Sequence, residues 1–158
     1  KVQFVISQDT PRGDAADVVW RPFHSERYAT RATATHPATG KEPGKAAFSS
    51  YEHVLVAWEA DGASRVIEHF ENHGIKADKL QVVPSALTAL TIALESGCLA
   101  TLPASACSAI SGRLGAKEVS HPFPALTIQT YICWHRSQDR DECHEWVRGL
   151  LLEAASKI

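Results

Sequence analysis

Methionine is absent from this chain, which begins at Lys1, so its 158 residues read as a piece of a longer protein. No stretch approaches the roughly 18 consecutive apolar residues that span a bilayer, and the start carries no signal-peptide pattern. Basic clusters are also missing. The formal net charge is −2, and no group of basic residues exceeds Lys41 with Lys45 or Arg136 with Arg140. Proteins that bind duplex DNA usually carry a basic stripe, because counterion release from phosphates drives affinity. This segment by itself is not expected to bind DNA. Cysteine is sparse: Cys98, Cys107, Cys133 and Cys143 form no CxxC pair and are too few for a disulfide scaffold. Set among apolar neighbours, they read as buried, reduced thiols of a cytosolic protein. There is no GxSxG elbow, no phosphate-cradling glycine loop and no HExxH. Nothing in the sequence is a positive reason to propose an enzyme, and no cofactor is implied.

What is present is ordinary for a folded domain: 44% of residues are apolar and 22% charged. The length suits one globular domain, or a small lobe plus part of another. Extended segments are expected at Val2–Ile6, around Val18–Trp20 and, partly exposed, over Tyr28–Thr35, with a loop from His36 to Gly44. From Val54 the pattern becomes regular. Val54–Trp58 reads as a buried strand. Ser64 is placed to cap a helix bearing Val66, Ile67 and Phe70, stopped by Gly74. Leu80–Val83 is a strand, and Pro84-Ser85 opens a helix with Leu87, Leu90 and Leu94 on one side and Gly97 after it. Cys98–Leu102 is a strand, Pro103–Ser111 a short helix and Glu118-Val119 a brief extended piece. The chain closes on a strand ending at Trp134-His135 and a helix whose Cys143, Trp146, Val147, Leu150, Leu151, Ala154, Ala155 and Ile158 form an apolar stripe. Asp139 and Glu142 have the spacing of an N-terminal capping pair for it. Strand–helix alternation of this kind predicts an α/β architecture with a parallel or mixed sheet.

Several of these pieces resemble the effector-binding domain of LysR-type transcription regulators, in the flavour of the salicylate- and flavonoid-responsive branch. They are Phe4-Val5-Ile6-Ser7, Glu26-Arg27-Tyr28 with His36-Pro37, Glu52-His53-Val54, His73-Gly74-Ile75, Val82-Val83-Pro84-Ser85 and Leu99-Ala100-Thr101-Leu102-Pro103. Trp134-His135-Arg136 and Trp146-Val147-Arg148 complete the series. Order and spacing match along essentially the whole chain. The resemblance implies a fold like the type 2 periplasmic binding proteins: two α/β lobes joined by two crossing strands, with a ligand between them. It places hinge strands at 27–31 and 130–134 and a complete second lobe at 28–130. Residues 1–27 and 131–158 would be only part of the first lobe. The family's N-terminal winged helix-turn-helix and the opening of the first lobe have no counterpart in this sequence.

Ser85 and Ala86 follow a strand and open a helix, where free N–H groups and the helix dipole favour anionic ligands. The resemblance puts effectors at this junction, and Ser85 equally suits a helix cap. Thr101 stands at a second strand-to-helix junction, either facing the same cleft or serving as a turn residue. Thr127 and Gln129 share one strand face before the returning hinge and are either cleft or solvent positions. His53 precedes a strand where some family members set a polar side chain on an aromatic effector; a surface histidine is the alternative. Cys133, His135, Cys143 and His144 are zinc-type ligands, but Cys143 and His144 point about a hundred degrees apart on a helix. No metal is expected there. Trp134 and Trp146 are read as core packing under the last helix.

Together these features predict a cytoplasmic sensing domain, not an enzyme, that holds a small aromatic or carboxylate effector and acts as a homodimer or homotetramer. DNA contact would come only through a helix-turn-helix outside this sequence, and the apolar residues of the Val66–Phe70 helix would face a partner copy. A solute-binding protein for a transporter and a zinc or thiol enzyme are the rival readings.

Overall fold

The computed structural model describes residues 3–8, 16–57 and 60–157. The ends of two predicted strands, at Val2 and Trp58, lie outside them. By its contacts the chain divides into two compact units: Arg27–Thr127, and the two chain ends Lys1–Glu26 with Ile128–Ile158.

The Arg27–Thr127 unit is an α/β layer structure. Its strands are the later part of β2 (Val18–Ala32), β3 (His53–Val56), β4 (Leu80–Val83), β5 (Leu99–Pro103) and β6 (Lys117–Val119). β3 lies parallel between β4 and β5, and β2 runs antiparallel to both β5 and β6. The parallel pairs need crossovers, supplied by helices α2 (Ala60–Asn72) and α3 (Ala86–Ser96). Helices α1 (Lys45–Ser50) and α4 (Ala104–Leu114) complete the unit.

Period-two alternation divides the sheet's side chains between two faces. Ala29, Val54, Val56, Ala100 and Leu102 meet Ala89, Leu90 and Ala93 of α3 and Cys107 of α4 in a dry core. Small alanines on α3 let the helix lie close to the strands, so Leu87, expected to face inward, is 53% exposed. The other face of the sheet, with Tyr28, Thr30, His53, Leu55 and Thr101 buried, is where polar groups collect. Tyr28 and Thr30 are buried here, against the expectation of a partly exposed strand. β2 is one 15-residue strand rather than two separate extended pieces.

The glycine stop predicted at Gly97 holds, and a second, not predicted, ends α4 at Gly115, beyond the helix end expected at Ser111. Gly97 and Gly115 close α3 and α4 at φ +72 and +71, a region open to glycine without a Cβ penalty. α2 begins at Ala60, which puts Ser64 inside the helix rather than at its cap. Val66 and Phe70 are fully buried, so the expected docking surface on α2 is core instead.

In the other unit, β1 (Val5–Ser7) pairs antiparallel with β7 (Thr127–His135), Val5 opposite Cys133, and α5 (Glu142–Ala155) packs nearby. The fully buried residues of α5 are His144, Arg148 and, alone among the described residues of the apolar stripe, Ala155; Val147 and Leu151 are half-buried, and Ile158 lies outside the described residues. Trp146 is 65% exposed, and Leu150 and Cys143 are exposed as well. Arg148 explains the rotation. Its guanidinium donates to the carbonyls of Gln138 and Asp139 and to His144 Nδ1, and lies 4.7 Å over the ring of Trp134. A buried cation this well partnered costs little and fixes which helix face turns inward. The cap is Asp141, which accepts from His144 N at 2.8 Å, while Asp139 accepts from Trp134 Nε1 at 2.7 Å.

Candidate functional site

The polar face of the Arg27–Thr127 sheet is built on neighbouring strands in register. Thr30 of β2 lies opposite Thr101 of β5, and their hydroxyls share a 2.6 Å hydrogen bond with both residues 1% exposed or less. Thr30 lies opposite Val119 of β6, and the chain leaving β6 brings His121 back over the sheet. His121 Nε2 meets Thr30 Oγ1, so three polar groups form one chain, His121 to Thr30 to Thr101. Phe48, Phe70 and Phe123 interleave with His53, His69, His73 and His121, including a stack of His73 on Phe123 with centroids 4.3 Å apart.

Burial holds the inner histidines neutral. His53 and His121 are both lowered to about 4, chiefly because a charged imidazole loses its hydration there. For His121 the neighbouring His69 and the Arg27 guanidinium push the same way. His53 Nε2 lies 2.9 Å from the Phe48 carbonyl, which can only accept, so Nε2 carries the proton and Nδ1 is the bare nitrogen. That Nδ1 is buried without a partner, as are His69 Nε2 and His121 Nδ1. Among the described residues no three His, Cys, Asp or Glu groups are placed to hold a metal ion. Of the zinc-type set, His144 is engaged by Arg148 and Gln3, Cys133 donates to the Val5 carbonyl, and Cys143 is exposed.

A cavity of about 260 Å³ opens beside this layer, lined by Arg27, Thr30, Glu42, Ser120, His121 and Phe123 among others. Arg31 holds the nearby Glu118 carboxylate at 3.0 Å.

The residues singled out from sequence fall in different places. His53 is fully buried under Phe48 and Phe70, neither at the surface nor open to a ligand. Thr101 sits on the same sheet face, within β5 rather than in a turn. Ser85 is the N-cap of α3, accepting from Thr88 N at 3.3 Å, and half-buried Ala86 packs on the apolar core. Both stand where β4, a parallel strand, ends. Thr127 is exposed at the start of β7. Gln129 spends both amide hydrogens on the carbonyls of His24 and Thr130. Sequence reasoning passed over Thr30, His121 and Arg27. The signal available for Thr30 was its place in a strand facing Thr101; nothing local marked His121, whose role depends on the chain folding back across the sheet.

The model of the LysR substrate binding domain matches residues 1–156. HTH-type transcriptional regulator SyrM of Rhizobium meliloti is 23% identical over 137 residues, covering 86% of this chain and 42% of its own length. The chain thus spans less than half of that relative. Among solved structures, the regulatory domain of MexT, a transcriptional activator in Pseudomonas aeruginosa, superposes with a TM-score of 0.72 at 19% identity, covering 96% of this chain and 72% of that one. The regulatory domain of CcmR from Synechocystis PCC6803, in complex with 2-PG, gives 0.72 at 13% identity over 97% of this chain and 73% of that one. The two superpositions show the fold expected from the strand–helix order, an α/β fold of the periplasmic-binding-protein type. The order of elements, the register of the sheet and the match along nearly the full length place this chain in the LysR substrate-binding domain family.

Proposed function

We propose that this chain is the effector-sensing part of a LysR-type DNA-binding transcription regulator, and that its effector is a small aromatic or carboxylate metabolite bound between two lobes. The observation that carries the reading is the family match over residues 1–156. The geometry at Ser85 supports it: a helix N-terminus at the end of a parallel strand presents N–H groups to an anion. In this reading Ala86, Thr101, Thr127, Gln129 and His53 belong with Ser85 to the effector-binding set. Thr101 and His53 act from behind as supports, since both are fully buried. Residues 28–130 form the second lobe, 1–27 with 131–158 part of the first, and 27–31 with 130–134 the hinge strands. The whole regulator works in the cytoplasm as a homodimer or homotetramer, touches DNA through a helix-turn-helix outside this chain, and has no enzymatic step. An effector that binds one lobe geometry better than another shifts the population between them, and the DNA-binding heads report the shift.

The test is a thermal-shift screen of the full-length regulator against aromatic acids and related carboxylates. One compound class raises the melting temperature in proportion to the logarithm of its concentration, as mass action requires, and Ser85→Gly weakens that response at least tenfold. A flat response across the whole library refutes the sensing role.

A further inference from the structure

We propose that the cavity beside His121 is a second binding site, separate from the Ser85 junction, and that it takes a small zwitterion of the α-amino-acid class. The cavity lies wholly within the Arg27–Thr127 unit. It is lined by two residues of opposite charge, Arg27 and Glu42. Among the described residues neither forms a hydrogen bond or an ion pair. The third charged wall residue, Glu118, is already held by Arg31. Two opposite charges on one cavity, neither held by another described residue, suit a molecule that carries the complementary pair. A carboxylate accepts the planar fork of Arg27, and an ammonium donates to Glu42.

The remaining walls fit the same ligand. His121 contributes no competing positive charge, because burial and Arg27 itself hold its ring neutral, and its Nε2 is occupied by Thr30. Arg27 is therefore the cavity's single cation. Ser120 adds a hydroxyl and Phe123 an aromatic face for an apolar side chain. The volume of about 260 Å³ equals that of roughly nine liquid waters, enough for one amino acid with a medium side chain. A simple carboxylate would leave Glu42 facing it unpaired, and a simple amine would leave Arg27 so.

The experiment uses the full-length regulator and the twenty protein amino acids in a thermal-shift screen. It is followed by calorimetric titration of the best binder, its desamino carboxylic acid and its decarboxylated amine. At least one amino acid stabilises, and each single-charge analogue binds at least tenfold more weakly. Arg27→Gln lowers amino-acid affinity at least tenfold and leaves the amine unaffected. Glu42→Gln does the converse, and Arg27→Lys restores part of the loss. Both side chains are exposed, so these variants keep the fold, checked by an unchanged melting temperature without ligand. No stabilisation by any of the twenty overturns the proposal. Binding that ignores both charge-removing variants but falls with Ser85→Gly also overturns it, while leaving the effector reading in place.

Discussion

At the scale of single residues, the Thr30 hydroxyl is the hinge of the polar layer, because it alone touches both Thr101 and His121. Replacing Thr101 with Val removes one neutral hydrogen bond while Thr30 keeps its histidine, a loss of about 1 kcal/mol. Thr30→Val leaves a buried hydroxyl and a ring nitrogen both unpaired, a loss of about 2–3 kcal/mol. Urea midpoints of the two variants rank them, and equal losses would mean that the chain of three is not cooperative. The histidines set a pH dependence. His53 and His121 titrate at about 4 in the folded chain against 6.5 when unfolded, so the native state binds fewer protons between those values. Their stabilisation is complete above pH 6.5 and is lost as pH falls towards 4. Between pH 7 and pH 5 each contributes a loss of about 2 kcal/mol. His69, lowered by burial and by His73, adds in the same direction. His121→Gln keeps a donor for Thr30 and removes its share of the acid sensitivity, read as a shallower fall of the urea midpoint between those two pH values.

At the scale of elements, a helix whose ends carry capping and glycine signals is legible, and a helix that buries charge is not. α3 shows the first case: Pro84-Ser85 opens it, Gly97 ends it, and both do so through backbone geometry that is local in sequence. Gly97→Ala forces a Cβ into a left-handed residue with no steric neighbour, so the cost is the backbone term alone, about 1–2 kcal/mol in thermal or urea unfolding. A larger loss would point to a contact that the geometry does not contain. α5 shows the second case. Its apolar stripe predicts one buried face, yet the helix turns His144 and Arg148 inward and leaves Trp146 and Leu150 in solvent. Of the partners that make this favourable, His144 is at helical spacing from Arg148, but the two carbonyls before the helix and the tryptophan ring on β7 are not. For the same reason Ser85 could be picked out as a junction residue, whereas His121, brought to Thr30 across 91 positions, could not.

At the scale of the whole chain, the Arg27–Thr127 unit has what independent folding requires. It holds a core on each face of its sheet, the apolar one against α3 and α4 and the ring-filled one around Phe48 and Phe70. Its own ends are tied together, since Tyr28 N donates to the Leu126 carbonyl at 2.8 Å. A fragment of residues 27–127 thus begins and finishes beside itself, and cutting there opens no internal strand of the unit. Among the described residues the remaining piece has three strand segments and one α-helix with Trp146 and Leu150 exposed, too little burial to offset the ordering entropy of its chain. We expect the 27–127 fragment to unfold cooperatively in urea and to keep the acid-dependent loss assigned to His53 and His121. Joined residues 1–26 and 128–158 should show no cooperative transition. Loss of the acid dependence in a folded 27–127 fragment would mean that the histidines answer to contacts beyond their own sheet, and the account of their burial would fall with it.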